Sequence, residues 1–336
     1  MERYARQSVF SPIGADGQKK LMQSKVAIIG MGALGTVSAN NLCRAGVGYI
    51  RLVDRDYVDI TNLQRQILFN EEDAHNKLPK VAAAFNHLSK VNSEIEIEPF
   101  AVDVNTSNIE SLIRGVDLVL DATDNFEIRL LINEACHKLQ IQWIYCGAIG
   151  SQGMTLNILQ KNDMPCLRCF IGGNASSTDT CSSFGVINMI TNTMASIQTA
   201  EALKILIGAD SVRNDLLSID LWSNEFKTII LPKDENCPVC VHGQYEYIGR
   251  PVGSYTTSIC GSNSIQIVPS HAIKVNFDIV SERLKKIGDV KNNGFSLVFS
   301  DSQYEIILFQ DGRAMIKNAI DENNARSIYT EYIGNA

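Results

Sequence analysis

The sequence predicts an α/β fold: a Rossmann-like parallel sheet with helices on both faces, followed by a small C-terminal α+β appendage. Three observations lead to this prediction. Short apolar runs alternate with segments of helical spacing through about residue 250. A glycine-rich turn joins the first apolar run to the first of those segments, and a linker-like stretch near residue 250 precedes a short segment with both strand-like and helix-like runs. Apolar strands separated by helices are typical of parallel sheets covered on both sides.

The apolar runs supply the strands of the large sheet. We predict strands at 25–29, 49–53, 95–100, 116–120, 143–146 and 154–159, and a hairpin at 217–222 and 226–231. Apolar residues three and four positions apart predict helices at 36–45, 80–89, 128–139 and 186–207. The segment 172–185 is rich in Gly, Ser and Thr and is predicted to be a loop.

A change of pattern near residue 250 divides the chain. The stretch 249–257 contains Gly, Pro, Ser and Thr and is predicted to be a linker. After it we predict strands at 264–268, 296–299, 304–309 and 314–318, with helices at 277–287 and 321–332. The predicted domains are therefore 1–248, which would bind a nucleotide, and 258–336, a small α+β domain to which the sequence gives no role.

Composition limits the classes of partner and compartment. The chain of 336 residues carries 30 basic and 37 acidic side chains, for a net charge of −7, which argues against broad binding to nucleic acid. It has no secretory segment at the N-terminus and no apolar run long enough to span a membrane. Its nine cysteines are an odd number and are expected to be thiols or metal ligands. We expect a cytoplasmic protein without nucleic-acid or membrane partners.

The glycine-rich turn predicts a nucleotide site. Gly30 would permit the tight turn, Gly32 would let the backbone approach a phosphate or ribose, and Gly35 would let helix and strand pack closely. The helix that follows offers free N–H groups to an anion. Asp54 ends the next strand and is suited to bind ribose hydroxyls. This pattern serves both NAD and ATP, so both remain open at this point.

Two Cys-x-x-Cys pairs predict a metal site. The four residues are Cys166, Cys169, Cys237 and Cys240. Four thiolates close a tetrahedral zinc site with no open position, so such a site would be structural. Because the pairs are far apart in sequence, it would act as a clip between distant segments. Two unrelated pairs or a redox dithiol are the alternatives.

A group of polar residues after the strands indicates the chemistry. Arg65 lies in the polar run 62–66, Lys80 begins a predicted helix, and Asp124 follows the strand at 116–120. The loops at the carboxyl ends of parallel strands share one crevice, so we expect these side chains to converge there. Arg65 and Lys80 would place two cations beside a phosphate, and Asp124 would hold Mg²⁺.

The same group argues against a dehydrogenase. We identify no His–Asp pair placed to move a proton among the five histidines. A peptide carboxylate, with a pKa of about 3.5, is already ionised at pH 7 and needs no base to act as a nucleophile. Its attack on a phosphate needs cations and positioning, which the polar group would supply.

Taken together, these residues resemble the ThiF/MoeB adenylyltransferases, bacterial relatives of ubiquitin-activating enzymes. The resemblance covers about residues 1–242. The matching segments, in order, are Arg3-Tyr4-Ala5-Arg6-Gln7, the glycine turn 30–35, Val53-Asp54-Arg55-Asp56, Asn62-Leu63-Gln64-Arg65-Gln66, Pro79-Lys80, Ala122-Thr123-Asp124-Asn125 and the two Cys-x-x-Cys pairs.

The resemblance implies a reaction and its partners. ATP and Mg²⁺ would be used to adenylate the C-terminal Gly-Gly carboxylate of a small β-grasp sulfur-carrier protein of the MoaD or ThiS type, with release of pyrophosphate. The pathway would be molybdopterin or thiamine biosynthesis. The resemblance further implies Zn²⁺ on the four cysteines, a homodimer, and a separate sulfur donor such as a cysteine desulfurase.

The resemblance also implies roles for individual residues. Catalysis would fall to Arg65, Lys80, Asp124 and Cys181. Arg6 would reach the ATP of the neighbouring subunit, and Cys181 would match a loop cysteine that can link covalently to the carrier. Cofactor binding would involve Arg6, Gly30, Gly32, Ala33, Gly35, Asp54, Asp56, Asn62, Gln64 and Asn125.

Two features depart from the family pattern. The segment Asn76-Lys77-Leu78 makes the stretch before Pro79 longer than usual, and no rhodanese-like domain follows the core. The alternatives to carrier adenylation are an NAD-dependent oxidoreductase, a tRNA-directed adenylating dehydratase, and a non-catalytic binding module whose working part is the appendage.

Overall fold

A computed structural model describes residues 2–161, 163–172, 185–250, 255–259, 264–269 and 274–334. An eight-stranded sheet forms the first part of the chain, with the strand order β3-β2-β1-β4-β5-β6-β7-β8. Its strands are β1 Lys25–Ile29, β2 Tyr49–Val53, β3 Glu96–Phe100, β4 Leu118–Asp121, β5 Gln142–Ile149, β6 Gln152–Ile158, β7 Leu216–Asp220 and β8 Glu225–Ile229.

Helices precede and connect these strands. The α-helices of this part are α1 Ala5–Ser8, α2 Gly14–Gln23, α3 Ala33–Ala45, α4 Glu71–His75, α5 Lys80–Val91, α6 Ile109–Ile113, α7 Phe126–Leu139, α8 Leu167–Ile171 and α9 Asn188–Ile207. Two short 3₁₀ helices are η1 Glu2–Tyr4 and η2 Ile60–Asn62. The predicted strands and long helices are present with boundaries shifted by a few residues, whereas α2 was not predicted.

The large sheet is parallel only in its first five strands. Strands β1 to β5 pair in parallel, with β1 between β2 and β4. Strands β6, β7 and β8, of which β7 and β8 form the predicted hairpin, extend this parallel part by antiparallel pairing. The reason is local: only Gly150 and Ser151 separate β5 from β6, and Gly150 has φ +60°. A two-residue connection can join only antiparallel neighbours.

Helices cover both faces of the large sheet, as predicted. On one face, α3, α5 and α9 bury Leu42, Leu88 and Met194 against the strands. On the other, α6 and α7 bury Ile113 and Ile132 in a second core. Because β1 lies in the middle, the helices that follow β1 and β4 lie on opposite faces. The crevice between the carboxyl ends of these two strands is where ligands bind in such sheets.

The C-terminal part forms a second, six-stranded antiparallel sheet of order β11-β12-β13-β14-β10-β9. Its strands are β9 Tyr255–Ile259, β10 Ser264–Val268, β11 Asp289–Asn292, β12 Ser296–Ser300, β13 Glu305–Phe309 and β14 Ala314–Lys317. Helices α10 Phe277–Leu284 and α11 Glu322–Tyr332 cover it. Strands β9 and β11 were not predicted, and β9 takes up the end of the predicted linker 249–257.

Within the described part of the chain, no helix is both long enough and apolar enough to span a lipid bilayer.

Candidate active site

Two glycines of the turn after β1 are required by the backbone itself. Gly30 has φ +98°, and its N–H donates to the Val53 carbonyl at 2.8 Å. A Cβ on Gly30 would lie 2.6 Å from the Ala122 carbonyl oxygen, and a Cβ on Gly35 would overlap the Gly30 carbonyl oxygen. Only glycine fits where backbone approaches this closely. These two glycines hold β1, β2 and the end of β4 together.

Gly32 differs, because the space beside it is open. A Cβ on Gly32 would meet only Gln66 Nε2, at 4.0 Å, and its φ is −86°. Nothing in the fold therefore requires glycine there. Helix α3 begins at Ala33, so its first N–H groups point toward this space with the positive end of the helix dipole. A glycine that leaves such a cradle open fits a bound phosphate or sugar.

Asp54, at the carboxyl end of β2, borders the same space. Its carboxylate accepts hydrogen bonds from the Met31 N–H at 2.6 Å and the Asp56 N–H at 2.7 Å. Burial raises the pKa of Asp54, and the neighbouring Asp56 adds to the rise while Lys80 opposes it. Each carboxylate oxygen has a second lone pair, so Asp54 can still accept from a ribose hydroxyl. The turn fixes its orientation in advance.

Lys80, the first residue of α5, is buried beside Asp56. Its Nζ lies 3.1 Å from Asp56 Oδ2, and its backbone N–H donates to the Asp56 carbonyl at 2.9 Å. Burial lowers the pKa of Lys80, but Asp56 and Asp54 outweigh burial and raise it overall, so the amine stays protonated. Asp56 Oδ1 is buried without a hydrogen-bond partner in the described structure. The site thus holds a fixed cation and an unsatisfied polar atom.

Asp124 lies exposed in the loop after β4, and a buried ion pair supports that loop. Arg129 Nε is 3.1 Å from Asp121 Oδ2, and its Nη2 donates to the Thr123 carbonyl at 2.5 Å. Asp121 Oδ1 in turn accepts from the Thr123 N–H at 2.9 Å. Asp124 also contributes to the raised pKa of Lys80, so the two lie within electrostatic reach. The sequence analysis assigned no role to Arg129. Its position one helical turn after Asn125, at the start of α7, could have indicated that it contacts the loop of Asp124.

The remaining polar residues serve the local backbone. Asn62 Oδ1 accepts from the Asp59 N–H at 3.1 Å, and Asn125 Oδ1 caps α7 by accepting from the N–H groups of residues 127 and 128. Arg65 donates to the Thr61 carbonyl at 3.1 Å, and Gln64 is exposed. Their contacts with a nucleotide, and those of Ala33, stay predictions.

Gln66 is a candidate site residue that the sequence prediction missed. Its side chain is buried, with only 3% of its surface exposed, yet its Oε1 has no hydrogen-bond partner among the described residues. Its Nε2 faces the open space beside Gly32. Buried amides are almost always hydrogen-bonded, so a buried amide that borders the cradle and has an unpaired atom is a candidate to contact a bound ligand. Its position in the polar run 62–66, four residues after Asn62, could have indicated from the sequence that Gln66 belongs to the site.

Arg6 is far from the glycine turn of its own chain. The neighbouring Gln7 donates to the carbonyl of Ala45, the last residue of α3. Helix α3 has 13 residues and is about 20 Å long, with the glycine turn at its other end. Arg6 is exposed. It can therefore contribute to a nucleotide site only in a second copy of the chain.

One histidine pairs with a carboxylate, but away from the crevice. His87 Nε2 lies 2.7 Å from Asp73 Oδ2. Asp73 also caps α4, because the same oxygen accepts from the Asn70 N–H at 3.0 Å. His87 lies seven residues beyond Lys80 on α5, which places it about 10 Å further from the strand ends. The pair belongs to helix packing and not to the crevice.

The four cysteines of the two Cys-x-x-Cys pairs converge, as predicted. Their Sγ atoms all lie within 4.8 Å of one another. The distances are 3.7 Å for Cys166–Cys237, 4.0 Å for Cys166–Cys169 and 3.5 Å for Cys169–Cys240. A tetrahedral zinc site with Zn–S bonds of 2.3 Å has sulfur–sulfur edges of about 3.8 Å. The cluster thus has the size of a four-thiolate metal site.

Helix α7 supports the cysteine cluster and the chain beyond it. Asn133 donates to Cys166 Sγ at 3.7 Å and accepts from the Leu167 N–H at 3.0 Å. The buried Glu134 accepts from the N–H groups of residues 246, 247 and 248 at 2.8–3.0 Å. The cluster and Glu134 together fasten the segment 237–248 to the core. Cys181, predicted to act in catalysis, lies outside the described residues.

Comparison with known proteins identifies the family. Residues 4–239 match the model of the ThiF family. This chain belongs to the ThiF family. The predicted resemblance is therefore confirmed, and the glycine turn and Asp54 belong to a ThiF-family enzyme and not to a dehydrogenase.

Individual relatives match either the whole chain or its first part. The sulfur carrier protein ThiS adenylyltransferase of Bacillus subtilis (strain 168) is 37% identical over 335 residues, covering 99% of both chains. The Escherichia coli K12 enzyme of the same name is 35% identical over 71% of this chain and 94% of its own. The molybdopterin-synthase adenylyltransferase of that strain is 33% identical over 71% and 96%.

Solved structures agree with the fold. A crystal structure of E. coli MccB with MccA-N7isoASN matches with a TM-score of 0.63 and 22% identity, covering 71% of this chain and 74% of that one. At this identity the likeness shows the fold alone. Among these relatives and structures, the match to the B. subtilis enzyme covers the C-terminal sheet as well as the first part of the chain.

Gly32→Ala and Gly35→Ala form a matched pair that separates ligand space from packing. We expect Gly35→Ala to destabilise the protein by about 1–3 kcal/mol and lower its Tm, because the new methyl overlaps backbone. We expect Gly32→Ala to keep the Tm within a degree or two but weaken ATP binding about tenfold, because its methyl enters the cradle. Thermal unfolding and titration calorimetry with ATP measure both. Equal losses of Tm would contradict the distinction.

Proposed function

We propose that this protein uses ATP to adenylate the C-terminal carboxylate of a small sulfur-carrier protein, releasing pyrophosphate. The observation that carries the proposal is the match over 99% of both chains to a sulfur carrier protein ThiS adenylyltransferase. The local geometry supports the proposal: the space beside Gly32 is open, Asp54 is hydrogen-bonded to the glycine turn, and Lys80 pairs with Asp56, two residues after Asp54.

The chemistry suits these residues. A carboxylate is ionised at pH 7, so its attack on the α-phosphorus needs no base. The new acyl–phosphate bond forms as the bond between the α-phosphorus and the bridging oxygen breaks, and that electron pair leaves with pyrophosphate. The protonated Lys80 would offset the charge that builds on the phosphate oxygens, as would Arg65. Asp54 would fix the ribose, and Gly32 and Ala33 would present backbone N–H groups.

Asp124 is the residue that we assign to Mg²⁺. It is exposed at the end of β4, within electrostatic reach of Lys80, and its loop is held by the Asp121–Arg129 pair. Mg²⁺ keeps most of its waters and binds through one or two carboxylates together with phosphate oxygens. When bound, the ion would neutralise charge on the phosphates. Asp124 would orient it toward the α-phosphate.

Among sulfur carriers, we propose a ThiS-type protein as the substrate. The two relatives named for ThiS are 37% and 35% identical to this chain, against 33% for the molybdopterin-synthase relative, and the B. subtilis match extends through the C-terminal part. A MoaD-type carrier is the second candidate. Sulfur would come from a separate donor such as a cysteine desulfurase, with Cys181 as the residue that links to the carrier. Retention of full sulfur transfer by Cys181→Ala would remove that role from Cys181.

We further propose that the protein acts as a homodimer. Arg6 lies about the length of α3 away from its own glycine turn, and the adjacent Val9 and Phe10 are 81% and 60% exposed. A second copy would cover these apolar side chains and bring Arg6 to the neighbouring nucleotide. A monomer in sedimentation at working concentration would refute this arrangement.

Carrier-dependent exchange of pyrophosphate into ATP tests the proposed function. Labelled pyrophosphate should enter ATP only when a ThiS-type carrier ending in Gly-Gly is present. The matched control is the same carrier without its last two glycines, which should give no exchange. A MoaD-type carrier and modified tRNA are further arms. Exchange that requires tRNA, or that occurs equally without any carrier, would contradict carrier adenylation.

Asp124→Asn tests the assignment of the metal-binding carboxylate. We expect it to slow exchange by about 100-fold or more, because one fixed charge beside the phosphates is lost. The fold should persist, since Asp124 is exposed. Glu127→Gln is the matched control: it lies three residues later, is exposed, and forms an ion pair with Arg250 at the surface. Equal exchange rates in the two variants would show that Asp124 has no part in the reaction.

The metal that we propose for the cysteine cluster is Zn²⁺, bound by Cys166, Cys169, Cys237 and Cys240. Four thiolates at tetrahedral spacing are typical of a closed structural zinc site. The ion would fasten the segment after β8 to α8, beneath α7. It would supply no chemistry to the reaction, because a closed site has no open coordination position.

Cys169→Ser is expected to lower bound zinc from about one ion per chain to a small fraction. Its Tm should fall by more than that of the control, because binding of a structural zinc is worth about 10–16 kcal/mol in small peptides. The control is Cys136→Ser, which changes a buried thiol outside the cluster. Elemental analysis and thermal unfolding measure the effects. Zinc-free wild-type protein would contradict the assignment.

A further inference from the structure

The C-terminal sheet packs directly on the loop that follows β2. Tyr57, three residues after Asp54, is 4% exposed. Its ring belongs to an apolar cluster whose other members all come from the C-terminal sheet: Val298, Ile307, Phe309 and Met315. The loop that borders the nucleotide cradle on one side is therefore covered by the appendage on the other.

Charged side chains surround this contact. Lys77 and Lys317 lie over the Tyr57 ring, with Nζ at 5.3 and 5.5 Å from its centroid. The same two amines flank Glu305, at 3.7 and 3.1 Å, and Asp59, at 3.9 and 3.8 Å. Lys77 has φ +49° and belongs to the segment that the sequence showed to be longer than usual before Pro79. That extra length supplies a contact with the appendage.

Arg313 reaches furthest from the C-terminal sheet toward the site. Its side chain is 2% exposed, its Nε is 2.7 Å from Asp311 Oδ2, and its guanidinium stacks on the Phe309 ring at 4.5 Å. Its two terminal nitrogens donate to backbone carbonyls of the large domain, at 3.1 Å to Arg55 and 2.7 Å to Ala101. Because Asp311 and Phe309 hold the planar guanidinium in place, it restricts the positions of the two carbonyl oxygens that accept its hydrogen bonds.

One of the two carbonyls belongs to the loop after β2, which carries Asp54, and the other to the adjacent loop after β3. Arg55 lies between Asp54 and Asp56, and Ala101 directly follows β3. Since Val53 pairs with Phe100, the two loops leave the sheet side by side, and Arg313 joins them. Its charge also helps to lower the pKa of Asp56, after the larger effects of burial, which raises it, and of Lys80 and Arg55.

We propose that Arg313 is a positioning residue for ATP: it holds the backbone between Asp54 and Asp56, and thereby the ribose-binding carboxylate and the partner of Lys80. This inference rests on the nucleotide site proposed above. It gives the appendage a role in the first reaction step. The E. coli relatives match this chain over 238 and 241 residues, which are 94% and 96% of their own length and 71% of this chain.

The test measures steady-state exchange with the full chain and compares Arg313→Met with Arg313→Lys. We expect Arg313→Met to raise the KM for ATP about tenfold, the cost of losing charge-assisted hydrogen bonds that orient the loop. The KM for the carrier should change less than twofold. Arg313→Lys keeps the positive charge and can still donate to one of the two carbonyls, so its KM for ATP should lie between those of the wild type and Arg313→Met.

Arg283→Met is the matched control. Arg283 also donates to two backbone carbonyls, those of Tyr332 and Ile333, at 2.8 and 2.6 Å, but both lie within the appendage. It should lower the Tm without moving the KM for ATP. If Arg313→Met accumulates unfolded, Asp311→Asn replaces it in the test. This variant removes the ion pair that orients the Arg313 guanidinium but keeps the arginine, and it should raise the KM for ATP about threefold.

Asp54→Asn serves as the reference for the nucleotide site. If it raises the KM for ATP while Arg313→Met and Asp311→Asn leave that constant unchanged, the positioning role is overturned and the site stands. If Asp54→Asn, Arg313→Met and Asp311→Asn all leave it unchanged, both the site and the inference fail. An equal fall in Tm for Arg313→Met and Arg283→Met, with no separate change in KM, would also overturn the role.

Discussion

The buried ion pair between Lys80 and Asp56 is the interaction on which the site depends. It joins the loop after β2 to the first turn of α5, and the backbone bond between the same residues reinforces it. Breaking a buried pair by removing one partner costs about 3–5 kcal/mol, because the other charge is left unpaired. Lys80 is thereby held protonated beside the loop that carries Asp54 and Asp56. Its position follows from the fold before any substrate binds.

Backbone contacts set the geometry around this pair. Asp54 accepts from the N–H groups of Met31 and Asp56, and so ties the loop after β2 to the glycine turn after β1. On the far side, Arg313 binds the carbonyls of Arg55 and Ala101. The short segment 54–56 is thus held from two directions by groups that do not touch the cradle. Such preorganisation matters for a reaction that relies on positioning and charge instead of on a base.

The cysteine cluster fastens the chain that follows β8, at the other edge of the large sheet. Strand β8 is an edge strand, and the chain beyond it must return to the core before the appendage begins. The cluster fastens residues 237 and 240 to α8, and Glu134 holds the next turns through three backbone N–H groups. The cysteine cluster and Glu134 thus anchor the chain just before the appendage, and Arg313 anchors the body of the appendage to the loops after β2 and β3.

The sequence alone determined the features that are local. The glycine turn, the strand that ends in Asp54 and the paired cysteines are read within a few residues, because φ angles, helix starts and ligand spacing are local properties. Pattern could also predict five parallel strands and their covering helices. Only the tertiary structure decided that the buried Gln66 amide borders the space beside Gly32 and that Arg129 supports the loop of Asp124. The contact between Arg313 and Arg55, 258 positions apart, also follows from the tertiary structure alone. It depends on how the two sheets pack, and the periodicity of a sequence does not predict such packing.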